Sequence, residues 1–135
     1  ARGYLKLDPF EVWGNGEQIR NWTYVDDIVS GTIAAAEHIN DGTSINLGTM
    51  ERIKVKDCAQ LVIDTLNPGI SIKLLTDKPT GPLNRVASNA LAQQLLGWSP
   101  QTKFADGLQK TIDWYVNSKT TEQASADLTR KLVGR

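Results

Sequence analysis

Arg20, Trp22 and Tyr24 are the residues whose types and spacing first suggest ligand chemistry in this chain of 135 residues. In an extended segment alternate side chains share a face, so one guanidinium lies in line with two aromatic rings. Ile19, Asn21, Thr23 and Val25 share the other face. A guanidinium meets phosphate oxygens with a rigid two-pronged fork that lysine lacks. Arg20 is therefore a candidate for holding a phosphate-bearing ligand, against the plainer alternatives of a solvated charge or an ion-pair partner for Asp26. Asp26 and Asp27 precede an apolar helical stripe and read as helix caps, because carboxylates there accept from free N–H groups and sit well in the helix dipole.

Other chemistries find less support. Gly14-Asn15-Gly16 lies between two strand-like runs and has no third glycine at the spacing a dinucleotide-binding turn needs, so it reads as a hairpin turn. His38 is the sole histidine and Cys58 the sole cysteine. With no Ser or Cys in a recognisable nucleophile setting, a hydrolytic triad is not indicated, and one His and one Cys among scattered carboxylates make no metal-ligand cluster. His38 falls near a helix C-terminus, where an imidazolium also suits the dipole.

Composition sets the limits on class. Hydrophobic residues make up 40% of the chain and charged ones 22%, which fits one globular domain with its own core. Fifteen basic residues balance fifteen acidic ones without long blocks, so nucleic-acid binding and membrane-surface binding are not expected. The single cysteine precludes an internal disulfide and points to a cytoplasmic protein, and no apolar run approaches the roughly 20 residues that span a bilayer. Position 1 is not a methionine, which fits processing, a tag junction or a truncated reading frame.

The elements that must position these residues follow from periodicity. Residues 1–9 are a lead-in, with a short helix as one option, that Pro9 separates from the next strand. Two extended runs on either side of Asn15-Gly16 are expected to form a hairpin. Val25, Val29, Ile33 and Ala36 repeat with a helical period and predict a core-facing helix to about His38. Ser44 to Gly48 reads as a short buried strand. Val55, Cys58, Val62 and Leu66 mark a second helix stopped by Asn67-Pro68-Gly69, and Ile70, Ile72 and Leu74 mark another strand. Residues 78–84 are a loop. Leu91, Leu95 and Leu96 predict a short helix that ends on left-handed Gly97, and Phe104, Leu108, Ile112 and Tyr115 a last amphipathic helix to Asn117. Residues 118–135 are a polar tail with a weakly helical pattern, expected to be mobile or to dock late. The expected fold is a small single α/β domain of short strands and about four helices over residues 10–117.

Taken together, the string WGNGEQIRNWTYVDD, the later INLG, the turn PTGPLNRVASN and LLGWSP resemble the C-terminal, substrate-binding half of extended short-chain dehydrogenase/reductases. The likeness is nearest to nucleotide-sugar epimerases and dehydratases of the GDP-mannose epimerase type, and it runs from about Phe10 to about Tyr115. It implies that Arg20 and Arg85 reach a nucleotide diphosphate and that Trp13 lies against the base or ribose. Arg85 could equally stay solvated, and its loop lacks an extra basic residue often seen there; an aromatic such as Trp13 is more often a core or interface residue than a base platform. The resemblance also implies NAD(P) for the full-length family, held by a doubly wound half whose motifs are not found here. Tyr115 and Lys119 have the Y-x-x-x-K spacing of the family's catalytic pair, but their place at the end of the last amphipathic helix makes Tyr115 a core residue and Lys119 a solvated one. No catalytic residue and no cofactor site of this chain's own is therefore assigned. The expected partners are a nucleotide diphospho-sugar, a separate Rossmann-type chain and further copies in a homo-oligomer. The competing reading is a non-catalytic interaction or oligomerisation domain that has lost its ligand.

Overall fold

The computed structural model describes residues 1–133 of the chain. Among the described residues five strands and five helices are interspersed, the last three elements being helices. They are β1 (Phe10–Trp13), β2 (Ile19–Arg20), α1 (Val25–His38), β3 (Ile53–Lys54), α2 (Val55–Leu66), β4 (Ile72–Leu75), β5 (Asn84–Arg85), α3 (Ala90–Leu96), α4 (Phe104–Ser118) and α5 (Thr121–Val133). The α/β class is as expected, with five helices where about four were foreseen.

The strands form two small sheets. β1 pairs in parallel with β4, Phe10 opposite Ile72 and Trp13 opposite Leu75. β2 is the centre of the second sheet, antiparallel to β3 and parallel to β5. The expected hairpin is therefore not formed, because β1 and β2 belong to different sheets. Gly14 and Gly16 do adopt positive φ, at 75° and 72°, but Asn15 does not, so the mirror-image turn that closes a hairpin is missing. Instead Gly14 N–H donates to Leu75 O at 2.8 Å, which completes the first sheet, and Ile19 N–H donates to Leu83 O at 2.7 Å, which opens the second. The glycines reverse the chain without choosing its partner.

Helix α2 packs over β1 and against α4, burying Ala59, Ile63, Phe104 and Ile112 with Val12. α3 ends on Gly97 at φ 63°, as its sequence predicts. Beyond Ser118 the chain forms α5, along the weakly helical pattern that its sequence carries there. α5 buries Ala124 completely, Lys119 pairs with Asp127 at 3.3 Å, and Tyr4 donates to Lys119 O at 3.0 Å, so the end of the chain is tied to its beginning.

Two further expectations fail together. The apolar stripe of α1 does not face the core: Val25, Val29 and Ile33 are 59, 50 and 55% exposed, and the buried face carries Asp27 and Gly31. Gly31 allows this, since a Cβ there would lie 2.7 Å from Leu47 Cδ2 and 2.9 Å from the Trp98 ring. Ser44 to Gly48 runs unpaired over that face instead of forming a strand, and its backbone makes no hydrogen bond. Among the described residues no helix is long and apolar enough to cross a membrane.

Candidate functional site

Residues 14–18 connect the two sheets and carry the chain past the start of α2. Lys56 N–H donates to Gly16 O at 3.0 Å and Val55 N–H to Gln18 O at 2.9 Å, while Asn15 Oδ1 accepts from Glu17 N–H at 3.1 Å. Glu17 adds ion pairs to Lys54, at 2.7 Å, and to Lys56. Hydrogen bonds from Lys54 first and Lys56 second hold its carboxyl well down, at about 2. The segment that delivers Arg20 is thus fixed at both ends.

Arg20 lies opposite Arg85 in the parallel register of β2 and β5, strands about 4.8 Å apart. Its Nη1 donates to Ile19 O at 2.7 Å and to Pro82 O at 2.9 Å, so the guanidinium is braced by the loop that leads into β5. Among the described residues neither arginine has a carboxylate partner, and the ion pair with Asp26 considered from the sequence is not made. Two positive charges therefore stand side by side without compensation, which suits a ligand bearing more than one negative charge.

A cavity of about 430 Å³ opens beside Arg20, with Trp13, Gln18, Trp22, Glu11 and Thr80 in its wall. Its one acid is already neutralised, since Arg2 Nη2 meets Glu11 Oε2 at 2.6 Å. The structure thus brings Trp13 and Arg20 into one site; Arg85 stands next to it through the strand register, outside the cavity wall. Gln18 was not singled out from the sequence, although the alternation that aligns Arg20 with Trp22 extends back to position 18. Its Nε2 donates to Trp13 O at 3.2 Å, whereas its Oε1 is buried without a partner. An acceptor left so costs about 1–3 kcal/mol.

Two other hollows gather different residues. One of about 590 Å³ is lined by Trp22, Tyr24, Phe104 and Trp114, with Lys110 Nζ 5.0 Å from the Tyr24 ring centre. The other, about 930 Å³, is an open trough along α5 that holds none of the candidate residues. Cys58 stands between the first two, and burial pushes its thiol up to about 11, so it stays protonated and unreactive near neutral pH.

The glycines of the 14–16 turn do not suit a dinucleotide. A Cβ on Gly14 would come within 1.9 Å of Thr80 Cγ2 and one on Gly16 within 2.7 Å of Lys56 Cβ. Neither position has room for a side chain. Tyr115 Oη is buried without a partner and Lys119 is engaged with Asp127, so this pair is not arranged as a phenol activated by a lysine. Asp27 proves to be no cap of its own helix: its oxygens accept from Gln101 N–H and Thr102 N–H, both at 3.0 Å. It ties the loop before α4 to α1.

The comparisons with known proteins agree with this architecture. The model of the family described as GDP-mannose 4,6 dehydratase matches residues 3–111. GDP-mannose 3,5-epimerase 1 of rice is 30% identical over 113 residues, 84% of this chain and 29% of its own. dTDP-glucose 4,6-dehydratase of Escherichia coli is 31% identical over 128 residues, 86% of this chain and 35% of its own. Among solved structures, UDP-glucuronic acid 4-epimerase from Bacillus cereus, in complex with UDP-glucuronic acid and NAD, superposes with a TM-score of 0.70 at 30% identity, covering 78% of this chain and 34% of that one. The chain spans about a third of the length of the relatives it matches. With a family match over residues 3–111 and relatives at 30% identity or more over four-fifths of its length, the chain belongs to the NAD-dependent nucleotide-sugar epimerase/dehydratase family.

Proposed function

We propose that this chain is the nucleotide-sugar-binding part of an epimerase or dehydratase, holding the diphosphate of its ligand through Arg20 and Arg85 with Trp13 against the nucleoside. The observation that carries the reading is the in-register pair of uncompensated arginines beside the cavity lined by Trp13. The Bacillus cereus relative was solved with UDP-glucuronic acid and NAD, which supports a sugar nucleotide as the ligand class. The NAD floor and the catalytic tyrosine and lysine would come from residues outside these 135, as a separate Rossmann-type portion, because the glycines here are packed against Thr80 and Lys56. The chain by itself then binds without turning over substrate.

The exposed α1 stripe and the unpaired segment 44–48 support the same division of labour. Apolar side chains and bare strand-like backbone are what a second portion of the fold would cover. They also favour the second reading, a non-catalytic interaction domain that uses this face for self-association.

Calorimetric titration with UDP-, GDP- and dTDP-sugars separates the two. The binding reading expects saturable heat with one of them, weakened roughly 10- to 100-fold in Arg20→Ala, since a hydrogen bond to a charged group contributes about 1.5–3 kcal/mol. No heat with any sugar nucleotide would leave the interaction domain.

A further inference from the structure

Arg20 and Arg85 stand in register on β2 and β5, and like charges directly opposite each other across a strand pair repel. β5 is only two residues long and exposed, so the segment that carries Arg85 has to be held by its surroundings. Three successive residues, Ile19 to Asn21, hold it. Ile19 N–H donates to Leu83 O at 2.7 Å and Arg20 Nη1 to Pro82 O at 2.9 Å, both ahead of Arg85. Asn21 acts on the other side, where its Oδ1 accepts from the N–H of Ala87, just beyond Arg85, at 3.1 Å. The same amide donates through Nδ2 to Thr49 O at 2.6 Å and to Glu51 O at 3.3 Å, so two carbonyls and one N–H fix which way round it sits. The loop that takes Nδ2 is itself tied down. Thr49 N–H donates to Thr23 Oγ1 at 2.9 Å, and Glu51 Oε2 accepts from Phe104 N–H at 2.7 Å at the start of α4. An amide held in this way offers its oxygen to Ala87 at a fixed place.

We propose that Asn21 is a positioning residue of the diphosphate site, which sets Arg85 beside Arg20 by holding Ala87, so that one ligand meets both guanidinium groups. The inference rests on the arginine reading above and deepens it. Asn21 acts through Arg85 and not on the ligand, since both ends of its amide are engaged by Thr49, Glu51 and Ala87. An alanine at position 21 would leave Ala87 N–H without its acceptor and free the chain beyond Arg85. A ligand would then have to order that segment as well as bind it, which weakens binding. Arg20 is spared by that release, because its brace at Pro82 lies ahead of Arg85.

A double-mutant cycle tests this, with UDP, GDP and dTDP titrated into the unaltered protein, Arg85→Ala, Asn21→Ala and the double variant. With the tightest of the three, each single substitution should weaken binding roughly tenfold. The double variant should bind no more weakly than Arg85→Ala, because Asn21 acts only through that arginine. A double variant weakened by the product of the two single effects would overturn the inference and reduce Asn21 to a brace of the fold. An Asn21→Ala that bound like the parent would overturn it too, and both results leave the arginine site standing. An Arg85→Ala that bound like the parent would overturn it while leaving Arg20 to hold the diphosphate by itself. Should Asn21→Ala fail to fold, hydrogen exchange on the unaltered protein decides. Saturation with the diphosphate should slow exchange of the Ala87 amide, since a ligand on Arg85 selects the anchored segment, and a rate that the ligand leaves unchanged would overturn the assignment. If none of the three diphosphates binds the unaltered protein, the inference falls together with the reading it rests on.

Discussion

Asp27 is the residue that the fold treats least like a surface carboxylate. It is 6% exposed, and its two oxygens take the backbone N–H groups of Gln101 and Thr102. Burial is the strongest single influence on its carboxyl and works upward. The hydrogen bonds from Gln101 and Thr102, with the charge of Lys110, together outweigh it and leave the group below the usual aspartate range. A carboxyl depressed in the folded state contributes stability above its unfolded value of about 3.9, and that contribution disappears as the pH falls through the lower folded value. Asp27→Asn keeps one acceptor but turns an NH2 group toward a backbone N–H. It should cost about 2–3 kcal/mol at pH 7, judged from the worth of hydrogen bonds to a charged acceptor. Urea unfolding at pH 7 and pH 3 provides the check: the gap between variant and parent should narrow at the lower pH. An unchanged gap would mean that the shape of the side chain, and not its charge, closes the 97–103 loop.

At the scale of elements, Gly31 decides how α1 sits. Its missing Cβ lets Leu47 and the Trp98 ring lie against the helix backbone, and Trp98 Nε1 donates to Ser30 Oγ at 3.1 Å in the same contact. Gly31→Ala should gain about 1 kcal/mol of helix propensity but meet a stiff indole at 2.9 Å, and overpacking of that kind costs about 1–3 kcal/mol. A lowered melting temperature, with a shift of Trp98 fluorescence, is the expected result; a raised one would show that the 44–48 segment yields easily. The same place explains what could and could not be read from sequence. Helices α2 and α4 were legible because their apolar periods point at partners within the chain, and α3 was legible from its leucines and closing glycine although Leu91 and Leu95 are exposed and Ala92 is the buried residue. The period of α1 was equally clear and was assigned to the wrong face, since a stripe of Val25, Val29 and Ile33 gives a helical period without saying whether it turns inward. Ser44 to Gly48 misled in the same manner: a strand is a property of two segments, and its pattern was visible without its neighbour. The 14–16 turn signalled a reversal correctly, but parallel pairing of β1 with β4 is a long-range matter that no dipeptide encodes. Arg20, Arg85 and Trp13 were visible as residue types at motif positions, and Gln18 was not, because an amide acquires significance only from the groups around it.

At the scale of the whole molecule, one helix carries a continuous exposed apolar stripe. The outer side of α1 exposes Val25, Val29 and Ile33, the 44–48 backbone beside it pairs with nothing, and Val25 continues into the aromatic hollow around Trp114, itself 63% exposed. Three half-exposed aliphatic side chains on one helical stripe carry enough apolar area to favour association. The chain on its own should therefore self-associate as its concentration rises. Sedimentation velocity over a hundredfold range in concentration should show the mean mass increase, and Val29→Glu with Ile33→Lys should hold it at the monomer. These two positions lie on the face of α1 opposite Asp27 and Gly31, so the double variant should melt within about 1 kcal/mol of the parent, as exposed substitutions do. If a separately expressed cofactor-binding portion were then added, it should compete with self-association for the same face, and the double variant should fail in both contacts. A double variant that still bound the cofactor-binding portion would move that interface away from α1, leaving the stripe to contacts between copies of this chain.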